Sequence, residues 1–167
     1  MGTSRGTATN AATPATTSLS RAGVAFTLHR YEHDPASLSY GLEAAHALGV
    51  PPERVFKTLL ADVDANLIVA VVTVIGSLDL KALATASGGK RASMAASAAA
   101  ERATGYVVGG ISPLGQRRQL PTIVDRTATE FDTVYVSAGR RGLDLELAPA
   151  DLIRLTGATT ARIGRHG

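Results

Sequence analysis

The run Leu67 to Ile75, LIVAVVTVI, limits what this chain can fold into more than any other stretch. Its β-branched residues leave no polar face, so it reads as a central strand buried on both sides. Ahead of it Val55 to Val63 alternates, placing Val55, Lys57, Leu59, Ala61 and Val63 on one face, and Asp64-Ala65-Asn66 turns the chain between the two strands. Helical and extended segments alternate around this pair. The expectation is a mixed α/β fold: one curved, barrel-like mixed sheet flanked by helices, in a single domain.

The helices are marked by their ends. Thr13 with Pro14 opens one that Gly23 closes at Ala22, and Ser39 opens a second that Gly49 and Pro51 end at Leu48. Further helices are expected from Ser77-Asp79 to Ala86, from Ser97 to Arg102 and from Pro149 to Leu155. Strands fill the intervals at Val24–His29, Arg91–Met94, Leu120–Asp125, Thr133–Ser137, Leu143–Leu147 and Thr160–Ile163. Residues 1–13 are mostly Thr, Ala, Ser, Gly and Asn, too polar to offset the entropy of ordering them, and are expected to form a disordered leader to a domain at 14–165.

Several chemistries are removed by what the chain lacks. With no cysteine there can be no disulfide, thiolate nucleophile or cysteine zinc site. His29 and His33 are four apart but fall on strand and loop, so no metal site is expected. The longest apolar run is far short of a membrane span, and no signal-peptide core precedes it. Lysine and arginine total 17 against 14 carboxylates, a bias that permits contact with nucleic acid, while aromatics at 4% argue against rows of base-stacking rings. There is no GxSxG elbow, HExxH, Walker loop or dinucleotide fingerprint. Asp144 and Glu146 share a strand face but read as structural or solvated rather than as an acid/base pair. An enzyme built from these residues would work by positioning and backbone electrostatics, borrowing a nucleophile from its substrate.

Two features could carry such chemistry. In GYVVGGISPLGQRRQLPTIVDR, Gly105 to Arg126, a short apolar strand runs into a glycine-rich loop. Gly109, Gly110 and Gly115 permit positive φ or close approach, and Pro113 stiffens the turn. The loop is either a tight turn followed by a solvated arginine pair, or a row of outward amides that holds a carbonyl, carboxylate or phosphate, with Arg117 and Arg118 adding positive field. Lys57, in turn, is either a strand-end lysine whose stem packs while its ammonium reaches water, or a point charge aimed into a cleft.

The segments TLHRYEHDP, LGVPPERVFKTLL, SLDLKALA, ATGYVVGGISPLGQ, LPTIVD and YVSAGRRGLDLEL together resemble the YbaK group of Cys-tRNA(Pro) deacylases, within the superfamily of prolyl-tRNA synthetase editing domains. The resemblance spans about Ala15 to Ile163. It implies a cytoplasmic enzyme without metal or cofactor that removes a wrong amino acid from aminoacyl-tRNA in trans. In such a reaction the cysteine thiol of the substrate attacks its own ester. A deacylase for another aminoacyl ester using activated water, or a tRNA- or synthetase-binding module without turnover, are the alternatives. By the same resemblance the catalytic positions fall on Lys57, Gly109 and Gly110, and substrate-binding positions on Tyr31, Tyr40, Thr58, Ile111, Ser137 and Asp144. The implied partners are tRNA(Pro) and prolyl-tRNA synthetase, which would supply part of the specificity for the tRNA body. The departures are a short turn at 64–66, a longer leader and Arg for Lys at several surface positions.

Overall fold

The LIVAVVTVI run becomes β3 (Asn66–Thr73), the middle strand of a five-stranded sheet, in a computed structural model that describes residues 12–37 and 39–165. Val69 and Val71 face one hydrophobic cluster, and Ile68, Ala70 and Val72 face another on the opposite side. Burial on both faces is therefore met. Its neighbours are β2 (Phe56–Val63), antiparallel, and β6 (Thr122–Asp125), parallel; β5 (Ala92–Met94) and β9 (Thr159–Ala161) form the edges in the order β5-β2-β3-β6-β9. The hairpin between β2 and β3 turns through Asp64 and Ala65, both at positive φ. The Asp64 carboxylate accepts from the amides of Lys90 and Arg91 at 2.9 and 3.0 Å.

A second, antiparallel sheet has the order β1-β8-β7, built from β1 (Thr27–Arg30), β7 (Val134–Arg140) and β8 (Leu143–Leu147). The two-stranded pair β4 (Ser77–Leu78) with β10 (Gly164–Arg165) makes a third. Among the described residues the larger sheets are joined by one bridge, Val55 with Tyr135. The mixed α/β expectation holds, with the strands of the described residues falling in three sheets rather than in one. Next to the bridge Arg54 donates to Thr133 O at 3.2 and 3.0 Å, and Glu146 accepts from Thr133 Oγ1 at 2.5 Å and bonds His29 at 2.9 Å, tying the seam.

Five α-helices surround the sheets among the described residues: α1 (Pro14–Ala22), α2 (Tyr40–Leu48), α3 (Leu80–Ala86), α4 (Ser97–Thr104) and α5 (Pro149–Thr156). The leader expected over residues 1–13 lies outside the described residues as far as position 11. Thr13 itself is buried: it caps α1 by accepting from Thr16 N at 3.1 Å and donates to Ala138 O at 2.5 Å. The short strand expected before the glycine-rich loop is not formed. Local partners take its backbone instead, since Tyr106 N donates to Thr104 Oγ1 at 3.2 Å and Val108 N to Glu101 at 2.9 Å. Among the described residues no helix is long and apolar enough to cross a membrane.

Asp125, at the end of β6, joins the C-terminal strands to the sheet. Its buried carboxylate accepts from Ile163 N (2.8 Å), Gly164 N (2.7 Å), Thr127 N (3.2 Å) and Thr127 Oγ1 (2.6 Å). Burial alone would raise its pKa, but these donors outweigh burial and hold it below the usual carboxylate value. Asp125→Ala strands the donors and is expected to cost on the order of 3 kcal/mol, read as a shift in urea midpoint. Because the folded pKa is depressed, the contribution is present above the ordinary carboxylate pKa and lost as pH falls through the folded value. An unchanged midpoint at pH 7 would contradict this role.

Candidate active site

A cavity of about 350 Å³ is lined by β2 together with residues of β7 and β8. Its floor is β2 from Phe56 to Leu60, its sides are the start of α2 and the start of α4, and its rim is the glycine-rich loop. Ser137 and Asp144, paired across β7 and β8, close the far wall. Gly41 permits this layout, because a Cβ there would lie 2.2 Å from Val74 Cγ1 and push α2 off the end of β3.

The aromatic wall is set by the loop after β1. Tyr31 N donates to Gly142 O at 3.0 Å, and Glu43 on α2 accepts from Asp34 N at 2.6 Å and bonds His33 Nδ1 at 2.9 Å. His33 then lies 5.7 Å, ring to ring, from Tyr40. These contacts bring Tyr31 and Tyr40 to the same cavity from separate elements.

The glycine-rich loop makes a turn over Val107 to Gly110, closed by Gly110 N donating to Val107 O at 2.9 Å. Gly109, third in that turn, has φ of +90°, the left-handed region that favours glycine. A Cβ on Gly109 would also lie 2.7 Å from Arg141 Nε and 2.9 Å from the Tyr40 ring. The amides of Val108 and Gly110 are committed to Glu101 and Val107, whereas those of Gly109 and Ile111 donate to no described residue. Two backbone donors are thus left on the cavity wall.

The side chains around them are unusual in what they lack. Lys57 Nζ donates to Gly76 O at 2.9 Å and pairs with no carboxylate among the described residues; burial lowers its pKa. Thr58 Oγ1 is buried with no hydrogen-bond partner among the described residues. Asp144 is only 6% exposed, its side chain receives no hydrogen bond from a described residue, and burial pushes its carboxyl up to about 7. Tyr31 is pushed up to about 12, first by burial and then by the Asp144 charge. Desolvated polar groups without protein partners, gathered in one cavity, mark it as a candidate site for a polar molecule.

Eight of the nine positions expected from the sequence line this cavity: Lys57, Gly109, Tyr31, Tyr40, Thr58, Ile111, Ser137 and Asp144. Gly110 does not. It is packed where a Cβ would meet the Arg140 backbone at 2.7 Å, and its amide is spent closing the turn, so its role is close packing of loop on strand. Arg117 and Arg118 are also absent from the cavity; their amides bond back to the end of α4 at 2.9 and 3.0 Å. The cation at the loop is instead Arg141, which donates to Val108 O from Nε at 3.1 Å and Nη2 at 2.5 Å and lies 4.8 Å over the Tyr40 ring. The Arg140-Arg141 pair beside Gly139 and Gly142 was the only sequence signal for it. Among the described residues no cysteine or histidine lines the cavity, and no cluster of three His, Asp or Glu side chains is placed to hold a metal.

Residues 37–155 match the family model of the aminoacyl-tRNA editing domain. A curated relative is EbsC of Enterococcus faecalis (strain ATCC 700802 / V583), named as a candidate Cys-tRNA(Pro)/Cys-tRNA(Cys) deacylase; it is 41% identical over 120 residues, 71% of this chain and 73% of EbsC. Among solved structures, the hypothetical protein APE2540 superposes with a TM-score of 0.82 at 25% identity, over 92% of this chain and 100% of that one. A candidate trans-editing enzyme for prolyl-tRNA synthetase gives a TM-score of 0.80 at 24% identity, over 91% and 95% of the two chains, a likeness of fold.

Proposed function

This chain belongs to the aminoacyl-tRNA editing domain family, and from that premise we propose that it is a trans-acting deacylase that clears cysteine from mischarged tRNA, with residues 14–165 as the editing unit. The observation that carries the reading is a cavity with two unpaired backbone donors and an ammonium, but with no cysteine or histidine on its walls among the described residues. Such a site can stabilise an oxyanion and orient an ester without itself attacking it.

The substrate would supply the nucleophile. Its cysteinyl sulfur attacks the ester carbonyl carbon, the C–S bond forms as the C–O bond to the ribose breaks, and the thiol proton ends on the departing ribose hydroxyl. The product is a cyclic thioester, which water opens to free cysteine. In this scheme the Gly109 and Ile111 amides receive the developing oxyanion, and Lys57 grips the ribose or phosphate of the tRNA end. Asp144 and Ser137 take the α-ammonium group, Thr58 bonds the aminoacyl moiety, and Tyr31 and Tyr40 shape the mouth. Specificity for the tRNA body would come partly from prolyl-tRNA synthetase, in keeping with the modest charge of the chain.

The test is release of labelled amino acid from Cys-tRNA(Pro), Cys-tRNA(Cys), Ala-tRNA(Pro) and Ser-tRNA(Pro). Loss of cysteine alone is the expected result. Release of alanine or serine at a similar rate would require an activated water and would sink the thiol mechanism, while no release from any of the four would sink the deacylase reading.

A further inference from the structure

We infer that Arg141 and Glu101 are positioning residues that hold the Val108–Gly109 peptide in one of two orientations, so that the Gly109 amide is presented to the scissile carbonyl; the inference rests on the deacylase reading above. A four-residue turn with positive φ at its third residue is of type II, and it differs from type I chiefly by a flip of the central peptide. Here that peptide joins Val108 to Gly109, whose φ is +90°. Glycine at this position accepts either form. The closing bond, Gly110 N to Val107 O at 2.9 Å, is compatible with both and does not choose between them.

The choice is made from outside the turn. Arg141 donates to Val108 O from Nε at 3.1 Å and Nη2 at 2.5 Å. The peptide is trans, so its N–H points opposite to its carbonyl and therefore away from the guanidinium. That N–H, on Gly109, is one of the two unpaired donors beside the cavity. Glu101 on α4 fixes the preceding peptide by accepting from Val108 N at 2.9 Å, while the carbonyl of that same peptide, Val107 O, receives Gly110 N. Arg141 is steadied in turn by its position 4.8 Å over Tyr40. Without Arg141 the central peptide is free to turn over, and a flipped peptide would offer the oxyanion a carbonyl oxygen where it now meets an N–H. The arginine therefore acts through the backbone, at a distance from the reacting atoms.

Arg141→Ala and Arg141→Lys test this with two readouts on the full chain. In a 15N spectrum, Arg141→Ala is expected to shift or broaden the Gly109 amide while resonances far from the loop and the melting temperature stay put. In deacylation of Cys-tRNA(Pro), kcat is expected to fall about tenfold to a hundredfold with KM held within about threefold, since a misdirected donor costs transition-state rather than ground-state binding. Arg141→Lys recovers little, because an ammonium cannot make the paired bonds of the guanidinium to one carbonyl. Glu101→Ala moves both readouts in the same direction. An unmoved Gly109 resonance in Arg141→Ala, or a loss expressed only in KM, would overturn the inference, the latter by making Arg141 an RNA contact. Failure of the wild type on every aminoacyl-tRNA would instead defeat the deacylase reading, and the spectrum would still decide the orientation of the peptide.

Discussion

Asp144→Asn is expected to raise the melting temperature at pH 8 while removing most of the deacylase activity. The wild-type carboxyl is 6% exposed, receives no hydrogen bond from a described residue, and is pushed by burial up to about 7. In the unfolded chain it titrates near 3.9. Between roughly pH 4 and 7 the unfolded state has released this proton and the folded state has not, so rising pH favours unfolding across that window. Above it the folded protein carries a desolvated charge at a cost on the order of a few kcal/mol. Asparagine removes that cost, and the gain in melting temperature should shrink as pH falls and disappear by about pH 3, where both states of the wild type are protonated. The same charge is what an α-ammonium group would need. The α-ammonium group of an amino acid ester entering the cavity would pair with the Asp144 carboxylate and displace its bound proton, so the wild-type rate should rise more steeply with pH through the neutral range than that of the asparagine variant, which keeps only the rise due to ionisation of the substrate thiol. A loss of about a hundredfold in kcat/KM is expected, the scale of leaving one partner of a buried charge pair unmatched. If the variant melted lower at pH 8 and at pH 4 alike, or kept full activity, Asp144 would be a structural residue.

Lys57→Ala should lower the single-turnover rate by about a hundredfold or more, the scale of losing a preorganised charge in a partly desolvated site. Among the described residues the ammonium has only Gly76 O as an acceptor, at 2.9 Å, and its pKa is lowered by burial. A phosphate or ribose oxygen brought to it would recover solvation that folding removed. Truncation should leave the fold intact, because no ion pair depends on Lys57 among the described residues. Lys57→Arg is not expected to restore the rate, since the planar guanidinium cannot occupy the position of a compact ammonium on β2. The pH profile adds an independent check. With the folded pKa below the ordinary lysine value, the charged and active form is lost sooner on the alkaline side than for a lysine in water. Folding is linked to the same shift: the depressed pKa makes the folded state release its proton first, so this group favours folding more as pH rises through the folded value. Unchanged single-turnover rates in Lys57→Ala would remove the residue from the mechanism.

Much of the framework was legible along the chain because its signals are local. The β-branched run at 67–75 made a strand buried on both faces, and the caps at Thr13, Asp79 and Gly49 placed helix ends close to where they lie. Lys57 stood out as a lysine among apolar strand residues. Its destination was not legible, because a strand pattern says which residues share a face and not what the face meets. The cavity is lined from two sheets that meet at Val55 and Tyr135, a relation between residues 80 apart in sequence that no local period records. The division of the strands into separate sheets was hidden for the same reason: it depends on pairing between distant segments. Gly109 and Gly110 look alike in sequence, yet one bears a free amide at a cavity and the other spends its amide on the turn and packs against Arg140. The hydrogen bonds that hold the loop around Gly109, from Val108 N to Glu101 and from Arg141 to Val108 O, reach across the fold and leave no local trace in the sequence. Sequence carries the propensities and the inventory of groups; burial, desolvation and the direction of a peptide arise only once distant segments are brought together.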